Sequence, residues 1–175
     1  MNSSAFCSLL LTLCLILISH SPLQANAKGR RLIGKVCKEA LEDRAMCMTI
    51  LRSDPRILHS KNYVQLSNMV LQLALNKGIE GQNFLKQLAL TNISPAISQC
   101  ANFDYDGVVE SFKSALGELK DDPQTANYDA KVAGDGPDTC ERGLAAAHIV
   151  NPAISALNRE ILLLSKIAFL ATNKL

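Results

Sequence analysis

The sequence predicts an all-α protein: an up-down-up-down four-helix bundle with an N-terminal helical hairpin extension and two disulfides. Three observations predict it. Apolar residues recur at intervals of three and four along most of the chain, as amphipathic helices require. No alternating Val/Ile/Thr run and no series of glycine turns at strand spacing occurs. Four cysteines remain once an apolar leader is set aside, enough for two cross-links. The 175 residues suit one domain. Nine glycines and six prolines exclude a collagenous or low-complexity chain, and 48% apolar residues exclude disorder. A net charge of +2, from 18 basic and 16 acidic residues, gives no footprint for nucleic acid, and three histidines leave little for a metal or catalytic centre.

Residues 1–27 read as a signal peptide. The largely apolar run Ala5–Ile18 is too short for a bilayer core, which needs about 20 residues. Ala25-Asn26-Ala27 supplies a small-x-small cleavage pattern. Scission there leaves 28–175 as the mature domain, with no membrane attachment, and removes Cys7, Cys14 and His20. The remaining Cys37, Cys47, Cys100 and Cys140 permit three pairings.

Residues 28–58 form the hairpin extension. Its two short amphipathic pieces, within Leu32–Leu51, are marginal as isolated helices. A Cys37–Cys47 bond across the hairpin would hold them, which favours that pairing with Cys100–Cys140. The bundle then occupies 59–175. Its first helix runs from Val64 to about Ala89, with a kink or break expected at Gly78 and Gly81. The second runs from Pro95 to Leu119, with Ser94 as cap and the Asp121-Asp122-Pro123 turn as its end. The third, Thr125 to about Leu144, is interrupted by Gly134-Asp135-Gly136-Pro137 and resumes near Asp138. The fourth opens at Asn151-Pro152, reaches Thr172 and carries the stripe Ile154, Leu157, Ile161, Leu164, Ala168, Ala171.

The framework Cys37-x9-Cys47-x3-Leu51-x-Ser53-Asp54-Pro55-Arg56, then Cys100 and Thr139-Cys140-Glu141, resembles the plant invertase and pectin methylesterase inhibitor family over essentially the whole mature chain. The resemblance implies a secreted bundle with the same first-second and third-fourth pairing. It implies a protein inhibitor and not an enzyme, without cofactor, acting in the apoplast or cell wall, or in the vacuole if the target is invertase. Its partner would be pectin methylesterase, bound as a one-to-one complex by the polar outer face of the bundle, or alternatively an acid invertase. Members of the invertase branch carry a Pro-Lys-Phe loop. Here the corresponding residues are Pro123-Gln124-Thr125, and the loss of the cation and the aromatic counts against invertase.

On the face that the resemblance assigns to contact stand Gln82, Asp104, Asp106, Glu110 and Ser114. Thr139, beside its cysteine, joins the candidate contact set, though its hydroxyl is expected to bond to backbone. Asn92-Ile93-Ser94 is an N-glycosylation acceptor by pattern, followed directly by Pro95. No metal site is marked: His59 and His148 lie in different segments, and Asp104-Tyr105-Asp106-Gly107 lacks the remaining acids of a calcium loop. A monomer is expected.

Overall fold

A computed structural model describes the backbone from Pro22 and the side chains from Ala27. The leader, as far as Ser21, lies outside the described residues. Helix α1 spans Pro22–Glu39, so the expected scission after Ala27 falls within it. After a single 3-10 turn at Leu41–Asp43 the chain returns as α2, Arg44–Ser53, and the short α3, Pro55–Leu58. The Cys37–Cys47 disulfide joins α1 to α2 at a Cα separation of 5.5 Å. Leu32, Ile33, Val36, Leu51 and Ile57 are buried between these pieces and the bundle. Ion pairs at the turn tie the hairpin to the last helix: Lys166 reaches Asp43 at 2.6 Å and Glu42 at 3.2 Å, and Lys174 reaches Glu39 at 2.5 Å.

The first bundle arm is α4, Tyr63–Thr91, capped by the Asn62 side chain, which accepts from Gln65 N. It is one continuous helix, so the expected interruption does not break it. Gly78 and Gly81 are buried close-approach positions instead: a Cβ on Gly81 would stand 2.7 Å from Leu157 and 2.9 Å from Tyr105. The helix tolerates both glycines because their neighbours need the space.

The second arm is α5, Pro95–Gln99, then a π turn over Cys100–Asp104, then α6, Tyr105–Glu118. The π turn was not expected, and Ser94 does not cap this arm with its side chain. The third arm is α7, Pro123–Val132, and α8, Asp135–Ala146. Its break falls at Ala133-Gly134, so the helix resumes three residues before the expected Asp138 and takes Gly136-Pro137 into its first turn, where proline's missing N–H costs nothing.

The fourth arm is α9, Pro152–Thr172, with Asn151 Oδ1 accepting from Ala153 N at 3.0 Å. Each arm packs on the next and the fourth closes on the first, the up-down-up-down order. The interior is filled by buried side chains including Leu66, Leu71, Leu85, Ile97, Phe112, Ile154 and Ile161.

Candidate functional site

The second disulfide, Cys100–Cys140, joins the π turn to α8 with its Cα atoms 4.9 Å apart. Beside it a buried polar chain crosses three arms. The Tyr105 hydroxyl donates to Asn158 Oδ1 at 2.7 Å, and Asn158 Nδ2 donates to Glu141 Oε1 at 3.0 Å. Burial drives the Tyr105 phenol far above its ordinary pKa, with Glu141, Glu160 and Asp104 acting in the same direction. This chain fixes the rotation of the second arm against the third and fourth, which decides which residues the second arm turns outward.

Asp104 and Gln82 stand apart from the solvent face assigned to them. Asp104, within the π turn, points inward and is only 4% exposed, and its Oδ2 has no hydrogen-bond partner among the described residues. Its carboxylate lies within 4.8 Å of both disulfide sulfurs, and since those are bonded to each other the group is not a thiolate metal site. Burial raises the Asp104 pKa, opposed by the Gln99 side chain and then by the Arg142 charge. Gln82 is likewise buried and donates from Nε2 to Asp106 Oδ1. Asp106 also faces Lys86 at 3.8 Å. Gln82 and Lys86 thus hold Asp106 at the seam between the first and second arms.

An acid whose pKa is higher folded than unfolded binds more protons in the folded state. The stability conferred by Asp104 should therefore be greatest at low pH and decline as pH rises from about 4, the ordinary carboxyl range, until it passes the raised native value. Asp104→Asn should flatten that slope and raise stability near neutral pH. Urea unfolding from pH 4 to 7 checks it, and an unchanged slope contradicts it.

Asp106, Glu110 and Ser114 are exposed on α6. Thr139 is half-buried on α8, where its hydroxyl accepts from Arg142 Nη2 at 2.9 Å, so the expected bond to backbone is not the one made. Pro123, Gln124 and Thr125 form the first turn of α7. Asp122 caps them, accepting from Thr125 N at 3.1 Å and from its hydroxyl at 2.7 Å, and these bonds hold the Asp122 carboxyl below its ordinary range. Asn92 is exposed at the C-terminus of α4, flanked by the exposed Leu90 and Ile93. His59 and His148 are exposed and sit in separate parts of the chain, at the ends of α3 and α8.

Two features escaped the residue-by-residue reading. Phe103 is 76% exposed, in the π turn beside the inward Asp104. An aromatic within a polar stretch is the signal that could have marked it. The second is charge segregation. Between Pro95 and Ala146 fall ten of the sixteen acids but four of the eighteen bases, whereas Lys28–Leu58 holds eight bases and four acids. The whole-chain charge of +2 conceals an acidic middle and a basic arm. Separately, a groove of about 830 Å3 runs between the hairpin and the third and fourth arms, with Met46, Leu162, Leu163 and Phe169 among its lining.

Among the described residues the scaffold is all-helical and stapled at two points, with polar side chains on its outer helix faces. The chain belongs to the plant invertase/pectin methylesterase inhibitor family, whose model matches residues 31–169. The fold is similar to the crystal structure of a pectin methylesterase inhibitor from Arabidopsis thaliana, with a TM-score of 0.59 at 20% identity, covering 81% of this chain and 93% of that one. It is also similar to mutant form A of a pectin methylesterase inhibitor from Arabidopsis, with a TM-score of 0.57 at 20% identity, covering 76% and 90%. No curated protein matches the sequence. Among the described residues no helix is long and apolar enough to cross a membrane.

Proposed function

We propose that this chain is a secreted inhibitor of pectin methylesterase that binds the enzyme reversibly, one to one, and covers its pectin-binding cleft with the outer face of the second and third arms. The acidic character of those arms carries the reading. Pectin bears galacturonate carboxylates, so a cleft that accommodates it is suited to negative charge. A convex helical face bearing Asp106 and Glu110 complements such a cleft, and charge complementarity of this kind steers association. Phe103 offers an apolar anchor, the type of side chain that carries much of the energy in a patch of about 800 Å2 per partner. Ser114 and Thr139 add hydroxyls to that face, and Gln82, from beneath, fixes Asp106. No covalent chemistry is needed, because occupying an open cleft excludes a polymer.

An invertase target would call for a cation or an aromatic on the Pro123 turn. That turn offers Gln124 and Thr125 and closes on Asp122. The mature domain is 28–175, a monomer in the apoplast, with Asn92 accessible for glycosylation. The experiment is a side-by-side assay of methanol release from pectin and of sucrose hydrolysis with the oxidised protein. Loss of pectin demethylation near stoichiometric ratio is expected, with sucrose hydrolysis unaffected. The double change Asp106→Lys/Glu110→Lys should weaken inhibition by roughly tenfold or more. Full demethylation at large molar excess sinks the reading for the enzyme tested.

A further inference from the structure

The basic arm has a geometry of its own. On α1 the cations Lys28, Arg31, Lys35 and Lys38 step by three, four and three residues, so they share one face of the helix. All four are exposed. Neighbours at this spacing have Cβ atoms about 5–6 Å apart, and the row is about 15 Å long. The opposite face of α1, with Leu32, Ile33, Val36 and Cys37, is buried, so the row is held on a fixed support.

The row is also uncompensated. The four acids of Lys28–Leu58 are all engaged elsewhere: Glu39 by Lys174, Glu42 and Asp43 by Lys166, and Asp54 by Arg56 at 2.6 Å. None of the four cations in the row has a carboxylate within 4.0 Å among the described residues, and residues 1–27 contain no Asp or Glu. Arg44 and Arg52 of α2 extend the same excess across the hairpin and are exposed. Self-repulsion within such a row is a standing cost, relieved when a polyanion displaces the small counterions condensed around it.

We propose that the Lys28–Arg31–Lys35–Lys38 face is a second binding site, for a linear polycarboxylate sugar chain of the de-esterified galacturonan type. This inference rests on the proposed function, since the polymer is the product of the enzyme that the acidic arms would engage. One carboxylate per sugar along an extended chain matches point cations repeated along a helix. An anionic membrane fits less well, because the apolar face of α1 is turned into the protein and a surface-seeking helix needs that face free. With the acidic arms on the enzyme and the basic arm on the demethylated polymer, the inhibitor would be held where the enzyme has acted. Product accumulation would then raise the local concentration of inhibitor, as linked binding sites do.

The test measures affinity of the full, oxidised secreted protein for polygalacturonate, for fully methyl-esterified pectin and for vesicles of anionic phospholipid, each at low and at physiological salt. Binding to polygalacturonate is expected. It should be roughly tenfold or more weaker for the esterified polymer and should fall steeply with salt, since the interaction is counterion release. Lys28→Glu/Arg31→Glu/Lys35→Glu/Lys38→Glu should abolish it, and the corresponding Gln set should weaken it. Both variants should keep the Cys37–Cys47 bond by peptide mapping and keep enzyme binding, measured by calorimetry without polymer. Equal affinity for the esterified polymer, preference for the vesicles, or full polymer binding by either variant overturns the site. Enzyme binding without polymer binding overturns this inference alone. Polymer binding without enzyme binding overturns the proposed function alone.

Discussion

Cys100→Ala/Cys140→Ala is expected to lower stability by about 4 kcal/mol and the melting temperature by about 10 °C. The bond closes a separation of 40 residues, against 10 for Cys37–Cys47, so loop closure restricts the unfolded chain more for the second bond than for the first. The folded side adds a reason. The third arm is split at Ala133-Gly134, and α8, only 12 residues long, buries just Pro137, Cys140 and Leu144. Without the cross-link little covalent or apolar restraint holds α8 against the π turn, and Asn158 loses the frame that positions it between Tyr105 and Glu141. Thermal unfolding of oxidised protein and double variant measures the difference. A shift smaller than that of Cys37→Ala/Cys47→Ala would show that the hairpin bond, not the bundle bond, carries the larger share.

Most of the architecture was legible because helix boundaries are local chemistry. Asn151-Pro152 caps α9 as read, and the stripe from Ile154 to Ala171 is buried apart from a half-buried Leu157. What failed to read were features set by what lies opposite. Gly78 and Gly81 look like helix breakers in one dimension, yet in three they are where α4 meets Val108, Tyr105 and Leu157. The π turn has no counterpart in the pattern: Cys100, Ala101, Asp104, Tyr105 and Val108 all point inward at the three-and-four spacing that a plain α-helix already serves. Asp104 was placed outward on its charge, although standing four residues from both Cys100 and Val108 puts it in phase with the buried stripe. The contact face was legible only in part: Asp106, Glu110 and Ser114 keep their exposure, while Phe103 drew no notice because an aromatic residue is expected inside. The basic arm was present in the composition and hidden by averaging over the chain.

Gly136→Ala and Gly143→Ala, seven residues apart in the sequence, should differ in sign. Both sit in α8, where alanine gains helix propensity over glycine by about 1 kcal/mol and also restricts the unfolded chain. At Gly143 nothing lies within 4 Å of the added carbon, so the substitution should stabilise by about 0.5–1 kcal/mol. At Gly136 the carbon would stand 2.4 Å from the Asp104 carbonyl oxygen and 2.6 Å from Val108 Cγ2. The first contact is backbone, which cannot rotate away, so α8 must retreat from the π turn. Overpacking of this kind costs about 1–3 kcal/mol, and more when backbone has to move, so the propensity gain is outweighed. A net loss of about 2 kcal/mol is expected. The displacement also moves the support beneath Phe103 and Asp106, so inhibition by Gly136→Ala should weaken at temperatures where the variant remains folded, while Gly143→Ala inhibits as before. Paired urea melts and inhibition curves decide it. If Gly136→Ala matches Gly143→Ala in stability, the close approach of α8 to the π turn is not what positions the contact face.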